Sequence, residues 1–250
     1  MRRVLIFSIL VIVLAVTFRL SQLVDDWHYV VPAEPGELLY ASTFTQDADA
    51  WQQDEGLISS EVRDGIIRLA VNEANTGIYS AVSPYFGDFD LSVDARAVEG
   101  EIDNGFGIVF RRKDPENYYS FIISSDGYYR LLRRVNNETQ VLHNWHTTDR
   151  INQGLDAENR LRVVGHEDHF QFYINETLVE LCIPNNPDGL STPLASGECL
   201  DGEWVETLVD ESITFGRVGV TVVIDNQPLG PVVEFDNVLI YGSQPLNLNE

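Results

Sequence analysis

Alternation of apolar and polar side chains between residues 88 and 134 is the feature that most constrains this chain of 250 residues. From 89 to 97 every second residue is apolar and its neighbours are charged or small and polar. A period of two is typical of a β-strand with one face towards a core and the other towards water. The pattern recurs in three further runs separated by turns rich in Asp and Gly. It predicts four strands that form an antiparallel sheet, mainly from neighbours in sequence.

The rest of the body carries similar short runs and, beyond the N-terminus, no amphipathic helical pattern. Polar stretches at 45–56 and 143–154 are predicted to be loops, the second of them carrying Trp145. The segment 180–212 shows no usable periodicity. A phase change at Asp236-Asn237 predicts a β-bulge in the last strand. The fold class is therefore predicted to be all-β, a two-sheet antiparallel sandwich of jelly-roll type. Further strands are predicted at 36–44, 67–71, 78–83, 218–222 and 233–240, and a hairpin of two strands is predicted over 161–174.

The N-terminus predicts a membrane anchor. Arg2 and Arg3 precede an uncharged apolar run over 4–18, and apolar character continues past Arg19 to residue 24. That length suffices for a transmembrane helix, and the two arginines place the body on the extracytoplasmic side. The alternative is a cleaved signal peptide that releases a secreted protein. The predicted organisation is an anchor at 1–24, a linker at 25–35, a jelly-roll domain at 36–242 and a tail at 243–250.

The net charge limits the expected partners, and the two cysteines predict a disulfide. The formal net charge is −23, and such an acidic protein repels phosphate backbones, so nucleic acid is not an expected partner. The two cysteines, Cys182 and Cys199, enclose a loop rich in Pro, Asn, Gly and Ser within the insertion 180–212. In an exported chain this pair predicts a disulfide rather than a metal site or a nucleophile.

Several segments together resemble a known superfamily. NGFGIVFRRKDPENYYSFIISSDGYYRLLRR, NRLRVVGHEDHFQFYINETLV, GRVGVTVV and VEFDNVLIYG follow one another in this order. They are similar to the concanavalin A-like lectin/glucanase superfamily, and within it to bacterial laminin-G-like and keto-disaccharide-hydrolase-like domains. The resemblance covers about residues 37–242 and implies the sandwich fold. It leaves the function open, because this fold carries lectins, glycanases, adhesins and structural modules.

The resemblance also implies where catalysis or a metal ion would be found. Glycanases of the superfamily use a Glu-x-Asp-x-(x)-Glu strand with two opposed carboxylates. The nearest string here, Glu101-Ile102-Asp103, lacks the closing glutamate and lies in a turn, so no catalytic residue is predicted. Asp88, Asp90 and Asp94 share a strand face, which a solvated edge explains. No cofactor is expected, although a structural Ca²⁺ held by Asp236 and the first strand at Ser42-Thr43 is an alternative.

A ligand, if one binds, is expected on the concave sheet, opposite the core set. Tyr and Trp rings stack on sugars, and Arg binds hydroxyls or carboxylates through two donors. The opposing interpretation is that the tyrosines are ordinary strand residues and the arginines neutralise an acidic surface. The alternation places Arg111, Tyr118, Ser120, Tyr128 and Arg130 on this face, with Trp145 at its rim.

Three functions remain open on the sequence alone. The first is a non-catalytic, membrane-anchored module outside the cytoplasm that binds a glycan or an envelope or membrane protein. The second is a glycoside-active hydrolase, and the third is an accessory subunit of a membrane complex. A cleft with two opposed carboxylates favours the hydrolase, exposed aromatic rings on a sheet face favour the binding module, and an apolar patch covered by another chain favours the subunit.

Overall fold

The computed structural model describes residues 29–54, 56–73, 76–224 and 230–246, together with Thr17. The chain divides into two compact units, Met1–Val30 and Val31–Glu250. The predicted anchor at 1–24 lies, apart from Thr17, outside the described residues. Within the described part of the chain, no helix has the length and apolar character needed to cross a membrane.

Strands account for nearly all regular structure in the described residues, and a single 3₁₀ turn lies at Ala48–Ala50. The strands are β1 (Val30–Val31), β2 (Leu38–Ser42), β3 (Ile58–Arg63), β4 (Ile66–Val71), β5 (Gly77–Ala81), β6 (Tyr85–Phe86), β7 (Phe89–Glu99), β8 (Gly105–Asp114), β9 (Asn117–Ser124), β10 (Tyr128–Val135), β11 (Glu138–Thr147), β12 (Asn159–His166), β13 (His169–Ile174), β14 (Thr177–Leu178), β15 (Leu181–Pro184), β16 (Thr192–Pro193), β17 (Cys199–Leu200), β18 (Gly202–Val205), β19 (Leu208–Val209), β20 (Arg217–Val223) and β21 (Val232–Tyr241).

Two large antiparallel sheets form the body. The six-stranded sheet has the order β11-β10-β9-β8-β20-β5, and the nine-stranded sheet has the order β14-β13-β12-β7-β21-β4-β3, with β19 and β2 added beside β13 and β21. Their inner faces meet in one core. Phe121 of the first sheet lies 5.0 Å, centroid to centroid, from Phe172 of the second. The predicted all-β sandwich of antiparallel sheets is confirmed.

The expectation that residues 88–134 build one sheet is wrong for the first strand. β8, β9 and β10 are neighbours in the six-stranded sheet, but β7 lies between β12 and β21 in the opposite sheet. The chain changes sheets in the turn at 100–104. A period of two shows which side chains of a strand face the core. Because the pattern is the same in both sheets, it does not show to which sheet a strand belongs.

Of two other local expectations, the loop at 143–154 is partly wrong and the bulge in the last strand is confirmed. The segment 143–154 begins as strand rather than loop, because β11 continues to Thr147 and its histidines hide the alternation. The predicted bulge in β21 is confirmed: Asn237 has a φ of 52°, and the register with β7 shifts between Asp236 and Leu239. Trp51, in the predicted loop at 45–56, is buried in the core.

The insertion 180–212 is a small ordered unit. β15 pairs with β18, and β16 pairs with β17, both antiparallel. The predicted disulfide is confirmed, since Cys182 and Cys199 are bonded with an S–S distance of 2.03 Å. The bond ties β15 to β17, and therefore joins the two ribbons to each other.

Candidate functional site

A groove of about 520 Å³ crosses the outer face of the six-stranded sheet, the face turned away from the core. We call it the outer groove. Strand pairing aligns much of its lining. Leu132 on β10, Ser120 on β9 and Val109 on β8 are successive register partners, and Thr221 on β20 pairs with Tyr79 on β5. Its walls carry the side chains of Tyr79, Tyr118, Ser120, Arg130, Leu132, Arg134, Thr139, Thr221 and Val223.

Glycines keep the strands close together beneath this groove. A Cβ at Gly107 would lie 2.3 Å from the carbonyl oxygen of Phe121 on β9, so no other residue fits there without moving the backbone. At Gly105 the nearest atoms are side chains, those of Ile122 and Trp145. The indole of Trp145 therefore lies over Gly105, on the outer side of the sheet.

The structure brings most of the predicted ligand residues onto one face. Tyr118, Ser120 and Arg130 all line the outer groove. The guanidinium carbon of Arg130 lies 5.7 Å from the ring centre of Trp145, so these two side chains are neighbours. Tyr128 begins β10 and is 39% exposed, but it does not line the groove.

The placement of Arg111 on this face is wrong. Its φ of 46° and a register shift between Phe110 and Asp114 break the alternation of β8, and its side chain turns inwards, where it is only 1% exposed. The guanidinium donates to the carbonyl oxygens of Ile213, Gly87 and Glu167. Burial lowers the pKa of Arg111. This arginine holds loops together inside the protein and does not face a ligand.

Sequence reasoning missed several polar groups of the groove, among them Tyr79, Thr221 and Arg134. Tyr79 lies on a strand too short for a clear pattern, and the guanidinium of Arg112 sits 3.5 Å above its ring centre. Burial, followed by the neighbouring Arg217, lowers the pKa of Arg112 to about 10. Thr221 and Arg134 do occupy the outward phase of β20 and β10, so the alternation itself contained the signal for these two.

Several carboxylates in the described chain are held in ion pairs or lie exposed in turns. Glu101 and Asp103 lie exposed in the turn before β8. On the outer face of the nine-stranded sheet, Arg162 binds Asp90 at 2.6 Å and Arg160 binds Asp94 at 3.0 Å. The idea that these aspartates mark a solvated edge is wrong, because β7 is a central strand. Their negative charge is neutralised by arginines on the next strand.

The neighbourhood of Asp236 offers little to a calcium ion. One Asp236 carboxylate oxygen accepts the backbone N–H of Asn237 at 2.6 Å. The proposed partner Ser42 donates to Asp47 at 2.9 Å and accepts the backbone N–H of Phe44, so its hydroxyl is already engaged. No group of three or more His, Cys, Asp or Glu side chains that could hold a metal occurs in the described ranges.

Comparison with known proteins identifies the fold. No protein-family model matches the chain, and no curated protein matches it significantly. Solved structures do match. A Bacillus subtilis protein of unknown function with a galectin-like fold superposes with a TM-score of 0.55 at 11% identity, over 84% of this chain and 98% of that one. The carbohydrate-binding module CBM66 from Bacillus subtilis gives 0.53 at 15% identity, over 77% of this chain and 95% of that one.

A third solved structure has a different assigned role. A putative glycosyl hydrolase from Parabacteroides distasonis gives a TM-score of 0.51 at 15% identity, over 82% of this chain and all of that one. At such identities the matches establish a shared two-sheet β-sandwich fold alone. They do not transfer either of the two roles to this chain, because one fold serves binding modules and hydrolases alike.

Proposed function

We propose that this protein is a non-catalytic carbohydrate-binding module whose ligand lies in the outer groove. The observation that carries the proposal is the lining of that groove. Tyr118 and Tyr79 bring aromatic rings, Arg130 and Arg134 bring guanidinium donors, and Ser120 brings a hydroxyl, all on one sheet face. Sugar rings offer apolar C–H faces and equatorial hydroxyls, which match aromatic rings and polar hydrogen-bonding groups respectively.

The shape of the groove favours an extended ligand rather than a small, enclosed one. It crosses several strands, and its lining includes residues of five that are neighbours in the sheet, β5, β20, β8, β9 and β10. Adjacent strands lie about 4.8 Å apart, so five strands span roughly 19 Å. That distance is longer than a single sugar ring. The groove therefore suits an oligosaccharide, and the structural similarity to a carbohydrate-binding module agrees with this proposal.

The position of the domain is also proposed. An anchor at residues 1–24 would hold it outside the cytoplasm, where a disulfide such as Cys182–Cys199 persists. The glycan would then be an extracellular or envelope polysaccharide. Binding to an envelope protein through its glycan belongs to the same proposal.

A glycan array tests the proposal. The full chain, in a detergent without a sugar headgroup, is applied beside the double variant Tyr118→Ala, Arg130→Ala. We expect the wild-type chain to retain a related set of oligosaccharides and the double variant to lose them. Absence of glycan retention by wild type, or equal retention by both proteins, would contradict carbohydrate binding in the outer groove.

A further inference from the structure

A second cavity, of about 390 Å³, lies against the disulfide-bonded insertion. We call it the insertion pocket. It is formed by the end of β11 with the loop that follows, by β14 and the segment after it, and by the insertion itself. The residues that line it and those that line the outer groove share no member. The two cavities are therefore separate sites.

The aromatic wall of the insertion pocket is Trp204. It pairs in register with Cys182, whose disulfide to Cys199 joins the ribbons of the insertion. The indole Nε1 donates to the carbonyl oxygen of Gly197 at 2.9 Å. Because strand pairing, the disulfide and this hydrogen bond all hold it, the ring is fixed before any ligand arrives. A fixed half-buried ring costs little entropy on binding.

Two histidines and a tyrosine form a cluster of rings next to Trp204. The His146 ring centre lies 5.1 Å from that of Trp204 and is tilted by 55°. His143 is fully buried, stacks on Tyr129 at 4.6 Å, and accepts the backbone N–H of Cys182 at 2.9 Å. The hydroxyl of Tyr129 donates to the carbonyl oxygen of Glu180 at 2.6 Å. These contacts fix the backbone on both sides of the pocket.

Polar groups complete the pocket. Its lining includes Thr147, Asp149, Arg150 and Glu180 beside the half-buried imidazole of His146. Asp149 lies 3.4 Å from Arg150, so the charges of this pair largely cancel. Glu180 leaves the lining net negative. Burial lowers the pKa of His146, which keeps its ring neutral near pH 7, with one nitrogen donor and one acceptor.

We propose that the insertion pocket binds one neutral hexose unit, with the Trp204 ring against an apolar sugar face and Asp149, Glu180 and His146 at its hydroxyls. An aromatic ring beside acceptor-rich carboxylates is a suitable environment for a polyhydroxylated, uncharged ligand. The net negative lining, on a protein of charge −23, repels acidic sugars. The pocket's volume of about 390 Å³ is sufficient for a hexose ring. This inference does not depend on the outer groove.

The test follows the four tryptophan indole N–H resonances of the full ¹⁵N-labelled chain in a detergent without a sugar headgroup. Methyl glycosides of glucose, galactose, mannose and fructose are titrated, with methyl glucuronide as the acidic probe. The variant Trp204→Phe assigns the Trp204 resonance. Trp51, buried in the core and bonded to Tyr40 at 3.0 Å, is the internal reference for folding.

We expect at least one neutral glycoside to shift the Trp204 resonance to saturation while Trp51 does not move. The isosteric double variant Asp149→Asn, Glu180→Gln should bind it about tenfold more weakly. Tyr118→Ala, Arg130→Ala should respond as wild type does, so a failure of the outer groove leaves this result intact. The inference is overturned if no neutral glycoside moves Trp204, if glucuronide moves it equally, or if the carboxylate variant binds as wild type.

Discussion

The guanidinium carbon of Arg111 lies 4.7 Å from the ring centre of Phe170, inside the sandwich rather than on its outer face. This cation also donates to three backbone carbonyl oxygens from separate loops. Arg111 thus fastens the loop after β6, the β12–β13 turn and the segment before β20 to one another. The structure therefore predicts a role in stability and none in ligand binding.

Replacing Arg111 by Ala should destabilise the protein by about 3 kcal/mol, because three buried carbonyls lose their donor and a cavity remains. Arg111→Lys should recover only part of the loss, since one ammonium group cannot replace the planar guanidinium at all three oxygens. Urea unfolding measures both. An Arg111→Ala protein that is as stable as wild type but has lost its glycan affinity would contradict the inward placement.

Removal of the disulfide should loosen the insertion. Cys182 and Cys199 are 17 residues apart. A disulfide that closes a loop of that size stabilises the folded protein by about 3 kcal/mol, mainly because it restricts the unfolded chain. Cys182→Ser, Cys199→Ser should therefore unfold at lower temperature than wild type. A reductant should lower the melting temperature of wild type only. If wild type and the double variant melt together without reductant, the bond contributes nothing.

The buried His143 should make stability depend on pH. Burial, assisted by the nearby His146, lowers the pKa of His143 to about 3, whereas an unfolded histidine has a pKa of about 6.5. Between these values only the unfolded chain takes up the proton, so the free energy of unfolding falls as the pH falls from about 6.5 towards 3. At pH 4 the loss is on the order of 3 kcal/mol.

The variant His143→Gln isolates this effect. Glutamine keeps an acceptor for the backbone N–H of Cys182 but does not titrate. The substitution should lower the free energy of unfolding at pH 7, because glutamine fits the site less well than histidine. Below pH 6.5 it should also make stability depend less steeply on pH. Chemical unfolding at several pH values gives the slope of stability against pH for wild type and for the variant. Parallel slopes for the two proteins would show that His143 is not the group responsible.

Replacement of Gly105 and of Gly107 on β8 by alanine should have very different effects on stability. At Gly107 an added Cβ would lie 2.3 Å from the backbone oxygen of Phe121, and at Gly105 it would lie 3.0 Å from the flexible end of Ile122. Gly107→Ala should therefore cost about 3 kcal/mol, and Gly105→Ala less than about 1 kcal/mol. Thermal unfolding measures the difference. Equal costs would mean that the strands β8 and β9 do not approach as closely as described.

Alternation of side chains was sufficient to predict the sandwich, the bulge at Asp236-Asn237 and the outward position of Tyr118, Ser120 and Arg130. It could not assign β7 to a sheet, because facing the core looks the same from either layer. It failed at Arg111, where a positive φ reverses the side chain. Trp204 and its pocket were not predictable, since the insertion's strands are only two to four residues long and show no clear alternation.

The central claim, a sugar-binding outer groove, is tested most directly by calorimetric titration with an oligosaccharide retained on the array. Tyr118→Ala, Arg130→Ala is compared with Tyr173→Ala, Arg162→Ala, which removes the same residue types from the opposite sheet, where Arg162 lies 4.8 Å above the Tyr173 ring. The account predicts at least about tenfold weaker binding for the first variant and a wild-type Kd for the second. Equal dissociation constants for the two variants would contradict it.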